Sequence, residues 1–165
     1  EMCIRDRQLL PVGMLVVLDS VFNRIIRNRR LGRSTWVYID EIYLLFQHEY
    51  SANFLFTLWK RVRKYGACCT GLTQNVDDLL QSHTARTMLA NSEFLVMLNQ
   101  ASTDRAELAR LLNISDNQLS YITNVDFGRG LIKCGSAIVP FMDHFPKNNL
   151  YRLMSTKPSE ADAAV

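Results

Sequence analysis

A short apolar run that ends in two carboxylates constrains this chain more than any other feature of its sequence. Residues Trp36 to Ile39 are large or β-branched, and Asp40 and Glu41 follow them directly. A strand that is apolar on both faces is typical of the centre of a parallel sheet that carries helices on each side. Because ligands gather at the carboxyl ends of the strands in such sheets, we expect the two acids at a ligand-binding edge.

Two adjacent carboxylates at that edge suit the hydrolysis of a nucleotide. One carboxylate can hold a hydrated Mg²⁺, while its neighbour, on the other side of the strand, can polarise a water for attack on phosphorus. This is the Walker B arrangement of P-loop enzymes. The alternative is a strand that ends in two solvated acids before a helix, and the hexapeptide alone leaves both interpretations open.

Composition limits the classes of protein to which this chain can belong. The chain has 165 residues, of which 48% are hydrophobic and 21% charged, and this is ordinary for one soluble domain. A net charge of +3 is too small to indicate nucleic-acid binding by itself. The longest apolar runs are too short to cross a membrane, and neither the cysteines nor the histidines show metal-ligand spacing. A reducing cytosolic setting is therefore expected.

Apolar periodicity predicts strands that alternate with helices. This alternation indicates right-handed crossovers and a mainly parallel α/β sheet. The predicted helices are 11–30, 42–46, 51–65, 76–80, 84–90, 102–112 and 116–122, and the predicted strands are 36–39, 67–73 and 94–98, followed by a β-hairpin at 131–134 and 137–139. Pro140 suits an edge strand.

Polar residues also end the second predicted strand. Gln74 follows it, as Asp40 and Glu41 follow the first. If the two strands are parallel neighbours, Gln74 lies beside the acids and can hydrogen-bond an attacking water or a γ-phosphate.

Two groups of basic residues stand at the ends of predicted helices. The first comprises Arg24, Arg27, Arg29, Arg30 and Arg33, and the second comprises Lys60, Arg61, Arg63 and Lys64. Each group can be a solvated helix end whose cations complement the helix dipole. Alternatively, the first group contacts a subunit or nucleic acid, and one arginine of the second reaches the nucleotide of a neighbouring subunit.

Residues 105–122 have the spacing of a helix-turn-helix, which offers a DNA-binding regulator as an alternative function of a different class. The would-be recognition helix presents Asp116, Asn117, Gln118, Ser120 and Tyr121 and no cation. Because affinity for duplex DNA depends heavily on neutralised phosphates, a capped helical hairpin packed on the sheet is the favoured interpretation.

Four stretches in order resemble the conjugal transfer (type IV secretion) traffic ATPases, a branch of the RecA-like DNA pumps. They are 36–46 (WVYIDEIYLLF), 59–66 (WKRVRKYG), 71–78 (GLTQNVDD) and 128–132 (GRGLI) followed by Pro140-Phe141. The resemblance implies that Asp40 and Glu41 are the Walker B pair, with Asp40 on Mg²⁺ through water. It also implies that Gln74 is the sensor glutamine and that Arg61 or Arg63 acts between subunits.

The same resemblance implies a partial RecA-like core that uses ATP and Mg²⁺ in a homo-hexamer. The hexamer would sit on the cytoplasmic side of a bacterial inner membrane among other subunits of the machine, with DNA as one candidate cargo. A related DNA translocase or helicase-type ATPase is the enzymatic alternative. Residues 8–154 are interpreted as the carboxyl-terminal half of the ATPase domain, 1–7 as a non-native extension and 155–165 as a disordered tail.

One departure from the family pattern dominates the expectations. No G-x-x-x-x-G-K-[ST] sequence occurs in the chain, so the Walker A phosphate loop is expected upstream of residue 1. The longer parent protein would hydrolyse ATP, whereas this chain alone is expected to fold marginally, to self-associate and to be inactive.

Overall fold

The computed structural model describes residues 4–74, 76–100 and 102–154 and divides the chain into two compact units between Ser92 and Glu93. The sequence interpretation treats residues 8–154 as one domain, so the division is new information. Each unit has its own sheet, and each is described separately below.

Among the residues that the structure describes, unit one has four helices, two strands and two short 3₁₀ turns. In chain order they are α1 (Ile4–Arg30), β1 (Thr35–Ile39), a 3₁₀ turn (Ile42–Phe46), α2 (Glu49–Arg61), a 3₁₀ turn (Val62–Tyr65), β2 (Ala67–Gly71), α3 (Val76–Gln81) and α4 (His83–Ala90). Every element that the sequence predicts in this region is present. Helix α1 begins at Ile4 and not at residue 11, and the bounds of the other elements lie close to the predicted ones.

The two strands of unit one pair in parallel, from Thr35 opposite Ala67 to Ile39 opposite Gly71. One face of β1 is covered, because Val37 and Ile39 pack against the apolar core. The other face is bare: Trp36 is 64% exposed and Tyr38 67%. The expectation that helices cover both faces of this strand is therefore wrong for the described residues, since the helices that form this core contact only one side.

Helices α1, α2 and α4 supply most of the remaining core of unit one. Apolar residues spaced three and four apart place Ile25, Leu55 and Leu58 in the interior. Ser51 lies inside α2, because the helix begins at Glu49 and not at residue 51 as predicted. Its Oγ donates hydrogen bonds to the carbonyls of Leu45 and His48, at 2.6 and 3.0 Å, and so fixes the preceding turn against the helix.

Unit two is built on an antiparallel sheet in the order β3 (Phe94–Met97), β4 (Arg129–Cys134), β5 (Ala137–Met142). The predicted hairpin is confirmed, and Pro140 lies in the edge strand. The third predicted strand does not extend the parallel pair, because β3 pairs with the hairpin. Gly130 permits this pairing, since a Cβ there would collide with the carbonyl of Met97. The fold is thus mixed α/β, with a helix-flanked parallel sheet and an antiparallel sheet at its carboxyl-terminal end.

The helical pair of unit two is α5 (Ser102–Leu112) and α6 (Asp116–Leu119), and α6 continues as a 3₁₀ turn to Ile122. A capping box begins α6, where Ser115 and Gln118 exchange hydrogen bonds. Gln118 also donates to the carbonyl of Ile138 in the hairpin at 3.4 Å, and Ile122 is fully buried. Helix α6 has only four residues, and its Gln118 bonds the hairpin, so it is a poor recognition helix. The structure therefore does not favour the helix-turn-helix hypothesis.

The predictions for the chain ends are only partly covered by the structure. Helix α1 is described from Ile4 onward and includes Arg5 to Arg7, within the segment that the sequence suggests is non-native. The proposed disordered tail, 155–165, lies outside the described residues. A last helix, α7 (Asn149–Met154), precedes it. Within the described ranges, each helix is too short or too polar to span a bilayer.

Candidate functional site

Asp40 and Glu41 form a two-residue excursion from the line of β1. The backbone of Leu72 hydrogen-bonds the residue before them and the residue after them. The amide of Leu72 donates to the carbonyl of Ile39 at 2.8 Å, and its carbonyl accepts from the amide of Ile42 at 2.9 Å. These two hydrogen bonds, which we call the clamp at Leu72, continue the parallel pairing beyond the last strand residues. Asp40 and Glu41 therefore lie at the carboxyl ends of both strands, as the sequence predicts. Their displacement from the strand pairing is a finding of the structure.

Glu41 has a left-handed backbone, with φ 47° and ψ 47°. This conformation is uncommon for a residue with a side chain and costs on the order of 1 kcal/mol or more. It persists because the clamp at Leu72 and the following turn, in which the amide of Leu44 donates to the carbonyl of Glu41 at 3.0 Å, determine the path of the chain. The backbone thus fixes where the Glu41 side chain leaves the sheet.

The carboxylate of Glu41 is only half satisfied. Its Oε1 accepts a hydrogen bond from Nε2 of Gln74 at 3.5 Å. Its Oε2 is buried and has no hydrogen-bond partner among the residues that the structure describes. A buried carboxylate oxygen without a donor is costly, so such an atom indicates a place for a water or a ligand group.

Asp40 is more open than its neighbour. Its side chain is exposed, and Oδ1 accepts from the amide of Glu41 at 3.0 Å, which orients the carboxylate and leaves Oδ2 uncommitted by that bond. A hydrated Mg²⁺ needs one or two carboxylates and tolerates water in its other positions, and Asp40 fits that requirement. No cluster of three or more metal-ligating side chains exists among the residues that the structure describes.

Sequence reasoning missed Gly71, the residue that makes room for the chain to return to the sheet after Glu41. Ile42 is buried directly over Gly71, and a Cβ at residue 71 would collide with its Cδ1 and lie 3.3 Å from its Cγ2. The missing side chain at Gly71 therefore lets the chain return to the sheet one residue after Glu41. The only sequence signal is a glycine at the end of an otherwise small, apolar strand.

Arg61 and Arg63 do not join this group. Arg61 ends α2 and Arg63 lies in the following 3₁₀ turn, just before β2 begins at Ala67. They are exposed at the amino ends of the two strands, whereas the acids follow the carboxyl ends. A five-residue strand separates the two edges by about 16 Å. The structure brings together Asp40, Glu41 and Gln74 and leaves the two arginines apart.

Two comparisons with known proteins found a match for this chain. The family model described as "TraG P-loop domain" matches residues 2–129. Among solved structures, the chain is similar to one described as "Structure of VirB4 of Thermoanaerobacter pseudethanolicus", with 27% sequence identity and a TM-score of 0.71. The match covers 79% of this chain and 36% of the other, so this chain spans about a third of that protein. No curated protein matches the chain.

Fold and family match together define the class as P-loop NTPase. The chain belongs to the TraG P-loop domain family, whose members are ATPases of conjugal transfer and type IV secretion. The likeness to the VirB4 structure supports the same assignment. The resemblance stated from four short sequence stretches is thereby confirmed.

Proposed function

We propose that this chain supplies the water-activating half of an ATP-hydrolysis site in a motor that powers conjugative DNA transfer or type IV secretion. In this proposal Asp40 and Glu41 are the Walker B pair and Gln74 is the sensor. The observation that carries it is the state of Glu41, which has a strained backbone at the edge of the parallel strands. One of its carboxylate oxygens is bonded to Gln74, and the other is buried with no partner among the described residues.

Each residue then has a separate task. Glu41 Oε2 takes a proton from the attacking water, and Gln74 holds Oε1 so that the carboxylate keeps its orientation. Asp40 is the residue that would hold a hydrated Mg²⁺. When bound, that ion neutralises charge that develops on the phosphate oxygens.

The phosphate-binding part of the site is proposed to lie in a longer parent protein. No residue run here has the Walker A spacing, and the chain corresponds to about a third of the similar VirB4 structure. Phosphate loops supply most of the contacts to the β- and γ-phosphates in P-loop enzymes. We therefore assign ATP and Mg²⁺ binding to the parent and propose that residues 1–165 alone are inactive.

Replacing Asp40 tests the metal assignment. In the parent, Asp40→Ala is expected to weaken Mg²⁺-dependent ATP binding by about tenfold or more, because the hydrated cation loses the carboxylate that holds it. Asp19→Ala is the matched control, since Asp19 bonds Asn23 on the exposed face of α1. Titration of Mg²⁺ at fixed ATP measures the effect, and an unchanged Mg²⁺ dependence in Asp40→Ala would remove the residue from the metal site.

Arg61 and Arg63 are proposed to act on the nucleotide of a neighbouring subunit. Their distance from Asp40 in the same subunit and their exposure at the opposite strand edge support this role over one in their own site. A head-to-tail contact in a closed ring places opposite edges of adjacent subunits against each other. The proposed assembly is a homo-hexamer.

Mixed rings test the role in trans. Subunits with Arg61→Ala and Arg63→Ala, and separate subunits with Glu41→Gln, should each hydrolyse ATP slowly on their own. Random mixing should restore about a quarter of the interfaces, which pair an intact Glu41 with intact arginines. Zero recovery in rings shown by light scattering to contain both subunits would mean that the arginines only stabilise the helix end.

The wider setting follows from the family. We propose that the motor works with other subunits of a conjugation or secretion machine, peripheral to a bacterial inner membrane on its cytoplasmic side. A related DNA translocase shares the same half-site and would pass the same enzymatic tests.

A further inference from the structure

Ser51 is the one polar residue whose side chain lies in the core, among the residues that the structure describes, and it is 1% exposed. It is the third residue of α2, where alanine would be the better helix former and would bury no hydroxyl. A buried hydroxyl costs free energy unless a hydrogen bond satisfies it. The contribution of Ser51 to the fold therefore lies in the groups that its hydroxyl bonds.

The hydroxyl of Ser51 ties α2 to the 3₁₀ turn that follows Glu41. The shorter of its two hydrogen bonds, 2.6 Å long, ends on the carbonyl of Leu45 in that turn. The other, 3.0 Å long, ends on the carbonyl of His48, whose extended backbone separates the turn from the helix. In a continuous α-helix the Leu45 carbonyl would accept from the amide of Glu49 instead. The serine hydroxyl thus holds the turn as a separate element.

The 3₁₀ turn passes this restraint back to Glu41. Because a 3₁₀ helix has three residues per turn, Ile42 and Leu45 lie on the same face, and both are buried. The amide of Leu44 donates to the carbonyl of Glu41 at 3.0 Å, and the amide of Gln47 donates to the carbonyl of Leu44 at 3.4 Å. A displacement of Leu45 therefore moves Ile42, which follows Glu41 directly in the chain.

We infer that Ser51 is a positioning residue for Glu41. The clamp at Leu72 fixes the two-residue excursion, and Ser51 fixes the far end of the turn that follows it. Between these two anchors, Glu41 keeps its left-handed backbone and its buried Oε2 keeps its place. The inference rests on the proposed function, in which Oε2 takes a proton from the attacking water. Ser51 itself is assigned no contact with the nucleotide.

Ser51→Ala in the parent removes the hydroxyl and little else. The turnover number for ATP is expected to fall about tenfold or more, because the carboxylate of Glu41 is displaced from the attacking water. The dissociation constant for Mg·ATP should stay near its original value, since other residues of the parent hold the phosphates. Ser92→Ala is the matched control, because the hydroxyl of Ser92 also donates to a backbone carbonyl of unit one, that of Met88, at 2.8 Å. The control should keep the original turnover number.

Combination with Glu41→Gln separates positioning from general destabilisation. If Ser51 acts through the carboxylate of Glu41, Ser51→Ala should change the residual turnover of the Glu41→Gln protein by less than about twofold, because the base is already absent. A merely structural role lowers the fraction of folded enzyme and so costs the same factor in both backgrounds. Turnover is measured per bound nucleotide in the four proteins of this cycle.

Hydrogen exchange of the parent gives a readout that does not depend on catalysis. The amides of Ile42 and Leu44, which bond the carbonyls of Leu72 and Glu41, should exchange about tenfold faster in Ser51→Ala, as the loss of one hydrogen bond allows. Amides between β1 and β2 should keep their exchange rates. Ser51→Cys retains a weaker donor, so both its turnover number and its exchange rates should lie between those of serine and alanine. The cysteine variant replaces alanine in the cycle if the alanine protein does not fold.

Three results would overturn the inference about Ser51. The first is an unchanged turnover number in Ser51→Ala, and the second is a loss by the same factor with and without the Glu41 carboxylate. The third is an equal rise in exchange rates throughout unit one, which would show that the hydroxyl only stabilises the fold. Failure of the proposed function gives a different result, because Glu41→Gln alone would then keep its turnover number.

Discussion

Replacing Glu41 by glutamine in the parent protein is expected to lower the turnover number for ATP by about 10²- to 10⁴-fold, the usual contribution of a general base. The dissociation constant for Mg·ATP should change little, because Glu41 is assigned to the attacking water and not to the ground-state phosphates. Steady-state hydrolysis and equilibrium nucleotide titration measure the two quantities separately.

Glu49→Gln is the matched control for this substitution. Glu49 lies in the first turn of α2, is exposed, and has no assigned part in the site. The Glu49→Gln substitution should leave both the turnover number and the dissociation constant for Mg·ATP near their original values. Comparable turnover in the Glu41→Gln protein would remove Glu41 from the mechanism, whatever its strained backbone indicates.

Gly71→Ala is expected to damage the same site without touching any charged group. The new Cβ collides with Ile42, and overpacking of this kind costs about 1–3 kcal/mol of stability. Because Ile42 follows Glu41 directly, the collision should also displace the carboxylate and lower the turnover number by about tenfold or more. Denaturant unfolding and ATP hydrolysis report the two effects.

A second substitution separates positioning from simple destabilisation. Valine lacks the Cδ1 atom that meets the new methyl, so Ile42→Val added to Gly71→Ala should restore most of the turnover, although Ile→Val alone costs about 0.5–1.5 kcal/mol. Gly13→Ala is the control, because a Cβ at Gly13 meets nothing within 4 Å. Failure of the double variant to recover activity while stability recovers would show that Gly71 does not position Glu41.

Local sequence patterns predicted most elements of the fold but not how the strands pair. Helices and strands were found because apolar periodicity and turn residues are local signals. The pairing of β3 with the hairpin depends on contacts between residues more than thirty positions apart, and no local signal distinguishes it from a third parallel strand. The bare face of Trp36 and Tyr38 was missed for a related reason, since an apolar strand does not reveal which helices are present to cover it.

The candidate site was predictable to the extent that residue type alone indicates the chemistry. Two acids after one strand and a glutamine after the next gave the group of Asp40, Glu41 and Gln74, and the structure places Gln74 on Glu41. The left-handed backbone of Glu41 could not be predicted, because it results from the clamp at Leu72. The role of Gly71 depends on the same packing. The location of Arg61 and Arg63 follows from the strand register, which shows the edge they occupy but not the subunit they serve.

The central claim is that residues 1–165 activate water for a site whose phosphates are held by other residues of the parent. Calorimetric titration of Mg·ATP into two proteins tests it most directly: folded, monomeric 1–165, and the parent that carries Glu41→Gln. The account predicts micromolar binding by the parent variant, near −8 kcal/mol, and no binding heat for residues 1–165. Micromolar binding by residues 1–165 alone would contradict it, because a phosphate site would then exist within this chain.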